Sequence, residues 1–470
     1  MKKILLIFAF TAFIFSSSIS HPWKPNHYVI IDTDCGLDDF RAIRLMLEST
    51  NIRILAITTS NGVVNAKDGY FKIKNLLNTN HHEGILVGAN LNSKQEITGC
   101  KSAYDFSWGN IKNNNTTEIP SHTEVINQVL KNSNEKIIFI NMGSLNTITN
   151  HFTSFPDFKD KIKEVLWACD YNLLKECFNY KIDSSSFQSF IDLNMPLSII
   201  NNGNINNYTD QVIENIRTYN TALSSEILKS ITLKNNAFSR NLYDETTFLY
   251  LIKPEMFTQK MAKNFFTLTL QSDYQYFENV LDSVFKSQMI NTQIFSVFPE
   301  QESAYVEDVS EIMVETIKKY GKDEWASCVL TCEIHRHVGV YTLIGAKMGI
   351  RAREYFGAGL DELKIISYAG LEPPFSCLND GLQVSTGATL GHGLISVEEN
   401  FKEPRADFYY LGQKITISLK DEYKTEVASK IKDLSYIYGL DSDIYWDLVR
   451  DIAINCWKNW DRHEIFEIKK

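Results

Sequence analysis

Residues 28–39 read Tyr28-Val-Ile-Ile-Asp32-Thr-Asp34-Cys-Gly36-Leu-Asp38-Asp39, an apolar run followed by four carboxylates within eight residues. Side chains alternate along a β-strand, so Asp32 and Asp34 share one face at the end of the run. Gly36 permits a sharp turn, and Asp38 and Asp39 then open a helix whose N-terminus favours negative charge. The stretch predicts a strand, a tight turn and a helix, with the carboxylates gathered at the turn.

Short apolar segments of the same kind recur along the first half of the chain, each followed by a polar loop and a helix-like segment. They are residues 53–58, 84–88, 136–141, 164–168 and 196–200. Strands that alternate with helices predict an α/β fold, with a mostly parallel sheet flanked by helices. Ligands of such sheets bind outside the carboxyl ends of the strands, which is where Asp32 and Asp34 lie.

The second half of the chain has a different pattern. Residues 258–309 are mixed and predicted to be helical, and a second unit begins near Glu311. Residues 311–320 and 339–355 read as helices, residues 363–368 and 413–419 as strands, and the tail adds two helix-like segments. We expect a first domain over residues 25–295 and a smaller α+β domain with a C-terminal extension over residues 300–470.

The first twenty residues predict a secretory signal peptide. Lys2 and Lys3 precede an apolar run over residues 4–15, and small residues follow at 16–20. The run is shorter than the roughly 20 apolar residues that span a bilayer, although an N-terminal anchor or a buried helix remains an alternative. No later segment is long and apolar enough for a membrane helix. We therefore expect an exported protein, either periplasmic or secreted.

The net charge and the cysteine content limit the classes of function that the chain could have. The net charge of −10 argues against nonspecific binding to nucleic acid, whose phosphates would be repelled, and favours a small-molecule partner. The eight cysteines contain no CxxC pair. In an oxidising compartment some of them could pair, but the sequence does not say which. The oligomeric state stays open, with a homo-oligomer among the states allowed.

The aspartate group calls for a cation on chemical grounds. Carboxylates a few Å apart raise one another's pKa and destabilise the fold. Hard oxygen ligands suit Ca²⁺ or Mg²⁺ rather than Zn²⁺. The alternative is a solvated acidic turn whose aspartates cap a helix.

The pattern D-T-D-x-G-x-D-D after an apolar strand resembles the signature of the inosine–uridine nucleoside hydrolases. Further segments match this family in order over roughly residues 27–260. They are Ile57-Thr58-Thr59, Leu86-Val87-Gly88-Ala89, Met142-Gly143-Ser144-Leu145-Asn146-Thr147-Ile148, Phe178-Asn179 before Asp183, and Tyr243-Asp244. The resemblance implies a calcium-dependent enzyme that hydrolyses the N-glycosidic bond of a ribonucleoside or a related ribosyl compound.

The resemblance also implies roles for individual residues. Asp34, Asp39 and Asp244 would bind Ca²⁺ together with the backbone carbonyl of Asn146, and Asp32 would support the ligand shell. Asp38 and Asn179 would hold ribose hydroxyls. Asp34 would accept a proton from the attacking water, a step that a positioned general base accelerates by about 10²- to 10⁴-fold.

The departures from the family pattern fall on the side of the leaving base. Val63 stands where an Asn is usual, and the family's His-Gly segment has no counterpart around residues 104–108. Cys177 stands where a Glu is common, with Glu176 one residue away as a substitute substrate-binding residue. Tyr243 occupies the position of a histidine that helps the base to depart. Its hydroxyl could donate a proton, or the ring could simply pack.

The second unit contains a weaker constellation, with His335 and His337 followed by Cys377. Nitrogen and sulfur ligands of this kind suit zinc or another transition metal, but the spacing matches no zinc finger. A helix cap or a surface pair is the alternative interpretation of the two histidines.

The same block resembles the FmdE-like domains, a family named after formylmethanofuran dehydrogenase. The resemblance rests on the His-x-His start, on Cys377-x-x-Asp380-x-x-Gln383, and on Thr386-Gly-x-Thr389-x-Gly391. It implies metal binding through His335, His337 and Cys377 and no particular reaction. Gly339 replaces a cysteine of that family, so one potential ligand is lost.

Two other functions remain open from the sequence. The first is a non-catalytic protein that binds a ribosyl compound or sugar, which Val63 and Tyr243 motivate. The second is a different metal-dependent hydrolase or lyase that uses the C-terminal domain.

Overall fold

A computed structural model describes residues 25–92, 100–110, 118–201, 203, 207–233, 239–271, 274–286, 294–295 and 297–470. The predicted signal peptide, residues 1–20, lies outside the described residues. None of the described helices is both long and apolar enough to cross a bilayer.

The first unit alternates strands and helices from its start. Its elements are β1 (His27–Thr33), α1 (Leu37–Glu48), β2 (Ile52–Thr59), α2 (Ala66–Thr79), β3 (Leu86–Ala89), α3 (Lys101–Asp105), α4 (His122–Asn132), β4 (Ile137–Asn141), α5 (Asn146–Ser154), β5 (Ile162–Ala168), α6 (Phe178–Ile182), α7 (Ser184–Asp192), β6 (Leu197–Asn201), α8 (Asp210–Thr218), α9 (Ala222–Ile231), α10 (Glu245–Ile252), β7 (Phe257–Ala262), β8 (Phe265–Leu270) and α11 (Tyr274–Lys286).

These strands form an eight-stranded sheet in the order β3-β2-β1-β4-β5-β6-β8-β7. Every neighbouring pair is parallel except β7 with β8. Val29 and Ile31 pack in one core cluster with Phe40 of α1, whereas Ile30 packs in a second cluster with Ile148 of α5. Both faces of the sheet are therefore covered by helices, which confirms the predicted α/β class.

The helical prediction for residues 258–309 is wrong over its first part. Residues 257–270 form the hairpin β7–β8, which turns at Lys263 with a φ of 56°, and β8 pairs with β6. The middle of β7 is exposed, so its sequence carries little of the apolar alternation that marks a strand. The partner β6 lies more than 60 residues earlier, and a local pattern does not report that pairing. Further along the same stretch, α11 is helical as predicted.

The second unit has its own sheet and core. Its elements are α12 (Glu307–Tyr320), α13 (Lys322–His335), α14 (Val340–Phe356), β9 (Lys364–Ser367), α15 (Leu378–Thr386), β10 (Ile395–Val397), β11 (Arg405–Tyr410), β12 (Gln413–Leu419), α16 (Asp421–Tyr438), α17 (Asp443–Asn459) and β13 (Phe466–Lys469). The strands follow the order β10-β9-β11-β12-β13. This arrangement confirms the smaller α+β unit.

The two units meet at the amino ends of the first strands. Tyr28 donates to Glu362 at 3.3 Å, and the Arg53 Nε donates to the same carboxylate at 3.0 Å. Just before β3, the amide of Gly84 donates to the carbonyl of Tyr355 at 2.7 Å. Because β1, β2 and β3 are parallel, the turn after β1 lies at the opposite edge of the sheet. The second unit therefore does not cover that turn.

Candidate active site

The turn after β1 brings the predicted carboxylates together. Asp32 lies within β1 next to its last residue, and α1 begins three residues beyond Asp34. The amide of Gly36 donates to Asp39 Oδ2 at 3.0 Å. A Cβ at Gly36 would lie 2.7 Å from Asp38 Oδ1 and 2.8 Å from Asp39 Oδ2, so a side chain there would displace both carboxylates. The two carboxylates approach residue 36 so closely that only glycine fits at this position.

A distant segment completes the group. Asp244 immediately precedes α10, a helix that packs against α1. Carboxylate oxygens of Asp38, Asp39 and Asp244 all lie within 4.8 Å of one another. In the part of the chain that the structure describes, this is the one group of three or more His, Cys, Asp or Glu side chains that converge so closely.

Asp34 is not one of these three carboxylates, although it interacts electrostatically with Asp39 and Asp38. Its side chain is 2% exposed, and its Oδ2 has no hydrogen-bond partner among the described residues. The backbone amide of Val63 donates to the Asp34 carboxylate. A Cβ at Gly62 would lie 2.2 Å from Oδ2, so the loop after β2 passes directly over the carboxylate. A buried carboxylate oxygen without a partner is costly unless it meets a cation or a proton.

The electrostatics of the group likewise indicate that these carboxylates need a cation or a proton. Burial raises the pKa of both Asp32 and Asp39 to about 7. Burial, followed by the nearby charge of Asp39, raises the pKa of Asp34 and of Asp244 well above the usual range. Such carboxylates hold protons unless positive charge compensates them. The orphaned oxygen of Asp34 and the all-oxygen donor set fit a divalent cation.

Asp32 is held by hydroxyl groups of the neighbouring strand and its loop. Thr58 donates to its Oδ1 at 2.6 Å, and Ser60 donates to its Oδ2 at 3.0 Å. Both oxygens are therefore already engaged. This placement suits the predicted supporting role better than direct ligation. The two hydroxyl groups were not among the predicted site residues, although Thr58 belongs to a segment that resembles the family pattern.

Asn146 and Asn179 lie in α5 and α6, the helices that follow the neighbouring strands β4 and β5. Asn146 is the first residue of α5, and its side-chain amide donates to Asp183 Oδ2 at 2.8 Å. Asn179 donates its amide to the carbonyls of Met142 at 2.8 Å and Ala168 at 3.0 Å. Since the Asn179 nitrogen is engaged in these backbone contacts, its side-chain oxygen is the atom suited to a ribose hydroxyl.

The residues before Asn179 differ from the family pattern for a structural reason. Cys177 forms a disulfide with Cys169, which follows the last residue of β5. Glu176 is exposed in the intervening turn and donates its amide to the carbonyl of Leu173. The position where the family carries a Glu is thus used for a covalent link. The sequence left this pairing open because eight cysteines allow many pairings.

Tyr243 lies at the rim of the group. Its side chain is 49% exposed, and its amide donates to Glu245 Oε2 at 3.1 Å. Partial burial, followed by the charge of Asp38, raises the pKa of the Tyr243 hydroxyl, so this group keeps its proton at neutral pH. The hydroxyl is hydrogen-bonded to the side chain of Asn241 and interacts electrostatically with Asp38.

The histidines of the second unit are only partly assembled. His335 ends α13, and its Nδ1 bonds Asp380 Oδ2 at 2.8 Å, while the rings of His335 and His337 lie 4.3 Å apart. Cys377 lies just before α15, which carries Asp380. Over the described residues, the ligand atoms of His335, His337 and Cys377 do not all converge within 4.8 Å.

Comparison with known proteins identifies two matched segments. The inosine-uridine preferring nucleoside hydrolase family matches residues 29–312. The family described as FmdE, molybdenum formylmethanofuran dehydrogenase operon, matches residues 334–454. No curated protein sequence matches the chain.

Several solved structures match part of the chain. A plant nucleoside hydrolase is 16% identical, with a TM-score of 0.45, and the match covers 56% of this chain and 100% of that one. A purine-preferring ribonucleoside hydrolase from Gardnerella vaginalis is 14% identical, with a TM-score of 0.44 and coverage of 55% and 96%. An inosine-uridine preferring nucleoside hydrolase from Bacillus anthracis is 13% identical, with a TM-score of 0.42 and coverage of 55% and 99%.

The family match extends over more than half of the chain and includes every member of the aspartate group. The chain therefore belongs to the inosine-uridine preferring nucleoside hydrolase family, and this membership supports N-glycosidase activity.

Proposed function

We propose that the protein uses Ca²⁺ to hydrolyse the N-glycosidic bond of a ribonucleoside or a related ribosyl compound. One observation carries the proposal. Asp38, Asp39 and Asp244 converge within 4.8 Å near the carboxyl ends of the parallel strands, and the Asp34 carboxylate, whose Oδ2 has no hydrogen-bond partner among the described residues, interacts electrostatically with Asp39 and Asp38. Ligand sites of open α/β sheets lie at this edge.

The chain supplies oxygen ligands that would bind the cation. Asp34, Asp39 and Asp244 would hold it, with the backbone carbonyl of Asn146 as a further oxygen ligand. Ca²⁺ accepts irregular sets of oxygen ligands, whereas Mg²⁺ demands near-ideal octahedral geometry. A group assembled from a turn, a helix and a distant loop favours the less demanding ion. When bound, the cation supplies positive charge that binds vicinal hydroxyls and lowers the pKa of water.

Asp34 is the general base of the proposed reaction. Its Oδ2 is buried and lacks a hydrogen-bond partner among the described residues, so it can accept a proton from a water at the sugar. The contact with the amide of Val63 keeps the carboxylate oriented. A base in this position contributes about 10²- to 10⁴-fold in rate.

The sugar is held by residues on both sides of the carboxylates. Asp38 accepts a hydrogen bond from one ribose hydroxyl, and the side-chain oxygen of Asn179 accepts another. As the glycosidic bond breaks, positive charge develops on the sugar ring, and the surrounding carboxylates stabilise it. Tyr243 donates a hydrogen bond from the rim to the departing base.

Product release from a panel of nucleosides tests the proposal. Mature protein is incubated with each nucleoside and Ca²⁺, and the released reducing sugar is measured for wild type, Asp34→Asn and Asp157→Asn. Asp157 is an exposed carboxylate distant from the group in sequence and serves as the matched control. We expect release by wild type and by Asp157→Asn, and a loss of about 10²-fold or more for Asp34→Asn.

Two results would contradict this function. Binding of ribose without hydrolysis of any nucleoside would favour the non-catalytic alternative. Full activity in Asp34→Asn would exclude the proposed base even if hydrolysis occurs.

Export is the second part of the proposal. The apolar run after Lys2 and Lys3 supports a signal peptide, and the Cys169–Cys177 disulfide supports an oxidising compartment. Mass spectrometry of protein secreted from the full-length chain should find an N-terminus near residue 20 and a linked Cys169–Cys177 peptide. A product that keeps residues 1–20 would contradict export by cleavage.

We infer a separate transition-metal site in the second unit from one observation. The Nδ1 of His335 is bonded to Asp380, whereas its Nε2 is buried and has no hydrogen-bond partner among the described residues. A carboxylate that fixes one ring nitrogen and leaves the other for a metal is typical of metal-binding histidines. His337 and Cys377 would contribute as neighbouring ligands.

Metal analysis distinguishes this site from a simple ion pair. The full chain is equilibrated with Zn²⁺, dialysed and measured as wild type, His335→Ala and His392→Ala. His392 bonds Asp361 at 3.1 Å and provides a matched His–Asp pair in the same unit. We expect the zinc content to fall only in His335→Ala. A wild-type protein that retains no zinc after dialysis would exclude this metal site.

A further inference from the structure

A buried arginine lies on the helix that carries two of the proposed site residues. Arg41 is two residues beyond Asp39 on α1 and is fully buried. It donates to the carbonyl of Ser239 at 3.1 Å and to the carbonyl of Asn241 at 2.6 Å, and it forms an ion pair with Glu245. All three partners belong to one segment, residues 239–245, which also carries Tyr243 and Asp244.

The partner carboxylate is buried and shared. Glu245 is fully buried, and its Oε1 also accepts a hydrogen bond from the hydroxyl of Tyr208 at 3.1 Å. Its Oε2 accepts the amide of Tyr243 at 3.1 Å. The guanidinium of Arg41 lies 5.4 Å from the centre of the Tyr208 ring. Glu245 therefore links Arg41 directly to the backbone of a residue at the rim of the site.

This network opposes a repulsion within the site. Asp39 on α1 and Asp244 on the distant segment are hydrogen-bonded to each other, which requires one of the two carboxyls to hold a proton. When both are ionised, their like charges in a buried setting favour separation. More than 200 residues separate the two, so no local chain geometry holds them together. A buried charge pair with well-formed hydrogen bonds resists displacement, because moving one partner strands the other.

We propose that Arg41 and Glu245 are positioning residues that hold Asp244 and Tyr243 in register with Asp38 and Asp39. The pair sets the separation of carboxylates contributed by the two segments and orients the Tyr243 backbone. Its effect on cation affinity rests on the proposed calcium site, whereas its effect on the segment itself does not. Neither residue touches substrate.

The test compares Arg41 with a second buried arginine on the same helix. Arg44 is 1% exposed and pairs with Glu226 at 2.6 Å and Glu48 at 2.9 Å, with none of these contacts on residues 239–245. Arg41→Met and Arg44→Met each remove a buried arginine of α1 and its ion pairs, although the partners of Arg44 are partly exposed. Both variants should lose thermal stability, but only Arg41→Met should increase the motion of residues 239–245.

Two readouts are made on the full chain. Amide hydrogen exchange of peptides covering residues 239–247 reports the segment, and calorimetric titration with Ca²⁺ alone reports the site. In Arg41→Met we expect exchange at least 10-fold faster and Ca²⁺ affinity at least 10-fold weaker. In Arg44→Met both should remain within about 2-fold of wild type. Arg41→Lys should be intermediate, since lysine keeps the charge but cannot make all three contacts.

The outcomes separate this proposal from the proposed function. Unchanged exchange in Arg41→Met would overturn the positioning role, as would faster exchange with unchanged Ca²⁺ affinity. Faster exchange in a protein whose wild type binds no Ca²⁺ would leave the positioning role standing and refute the calcium site. If Arg41→Met fails to fold, Glu245→Gln, which keeps the shape but removes the charge, is read by the same criteria.

Discussion

The aspartate group of the first unit and the histidine pair of the second differ in how completely the fold assembles them. Asp38, Asp39 and Asp244 converge although they lie on segments more than 200 residues apart. His335 and His337 are neighbours in sequence, yet Cys377 does not join them as closely. Rigid support makes the difference, because the aspartates sit where packed strands and helices end, whereas His337 lies in an exposed loop.

The two regions are also separated in space by the way the units pack. The second unit contacts the amino ends of the first strands through Glu362 and Tyr355, and the aspartate group lies at the carboxyl ends. A chemical change in one region should therefore leave the other intact. Paired substitutions, one in each region, test whether the two regions act independently.

The largest expected contrast is between Asp34→Asn and His335→Ala. Removing the proposed base should lower kcat by about 10²- to 10⁴-fold. His335→Ala should leave nucleoside hydrolysis within about 2-fold of wild type, since it lies in the other unit. Steady-state kinetics on the best nucleoside measures both. A large loss in His335→Ala would show that the two regions share one reaction.

A pair of glycines gives the next contrast. A methyl group at Gly62 would lie 2.2 Å from Asp34 Oδ2, whereas at Gly391 its nearest neighbour would be at an ordinary 3.7 Å. Gly62→Ala should displace the carboxylate and reduce kcat by about 10- to 100-fold, as misplacement of a catalytic group does. Gly391→Ala should have no effect on kcat. Equal activity of the two variants would refute the geometry around Asp34.

The aspartate group should also give the protein an unusual pH dependence when cations are removed. Asp32 and Asp39 have a folded-state pKa of about 7, compared with about 4 for an unfolded chain. The folded protein therefore binds more protons than the unfolded chain between these values, and the free energy of unfolding falls as pH rises through 7.

Thermal unfolding in chelator at pH 5, 6, 7 and 8 measures this effect. We expect the melting temperature to fall over the series and added Ca²⁺ to restore most of the loss at pH 8. A melting temperature that rises with pH in chelator would contradict the buried, uncompensated group.

The smallest expected contrast concerns two cysteines. Cys177→Ser breaks the link to Cys169 beside the backbone carbonyl that Asn179 bonds, so KM should rise a few-fold while kcat changes little. Cys377→Ser, in the second unit, should leave both constants unchanged. Kinetics with purified, non-reduced protein checks the pair, and an unchanged KM in Cys177→Ser would show that the loop holds Asn179 without the disulfide.

Sequence patterns predicted best where neighbouring residues determine the structure. The strand, turn and helix over residues 28–48 followed from apolar runs, Gly36 and the first-turn aspartates, and the structure has them in that order. The hairpin β7–β8 did not follow, because its exposed middle hides the strand pattern and its partner β6 is remote. No sequence pattern identified Arg41 and Glu245 as fully buried.

By itself the sequence determined the parallel α/β class, the family and the identity of the carboxylates, since these depend on periodicity and on short motifs. Only the tertiary structure decided how Asp244 reaches Asp39, which cysteines pair, that Asp32 is already satisfied by Thr58 and Ser60, and on which edge the second unit packs. Each of these depends on contacts between segments far apart in the chain. Such contacts arise from packing and from the pairing of buried charges, which local patterns do not encode.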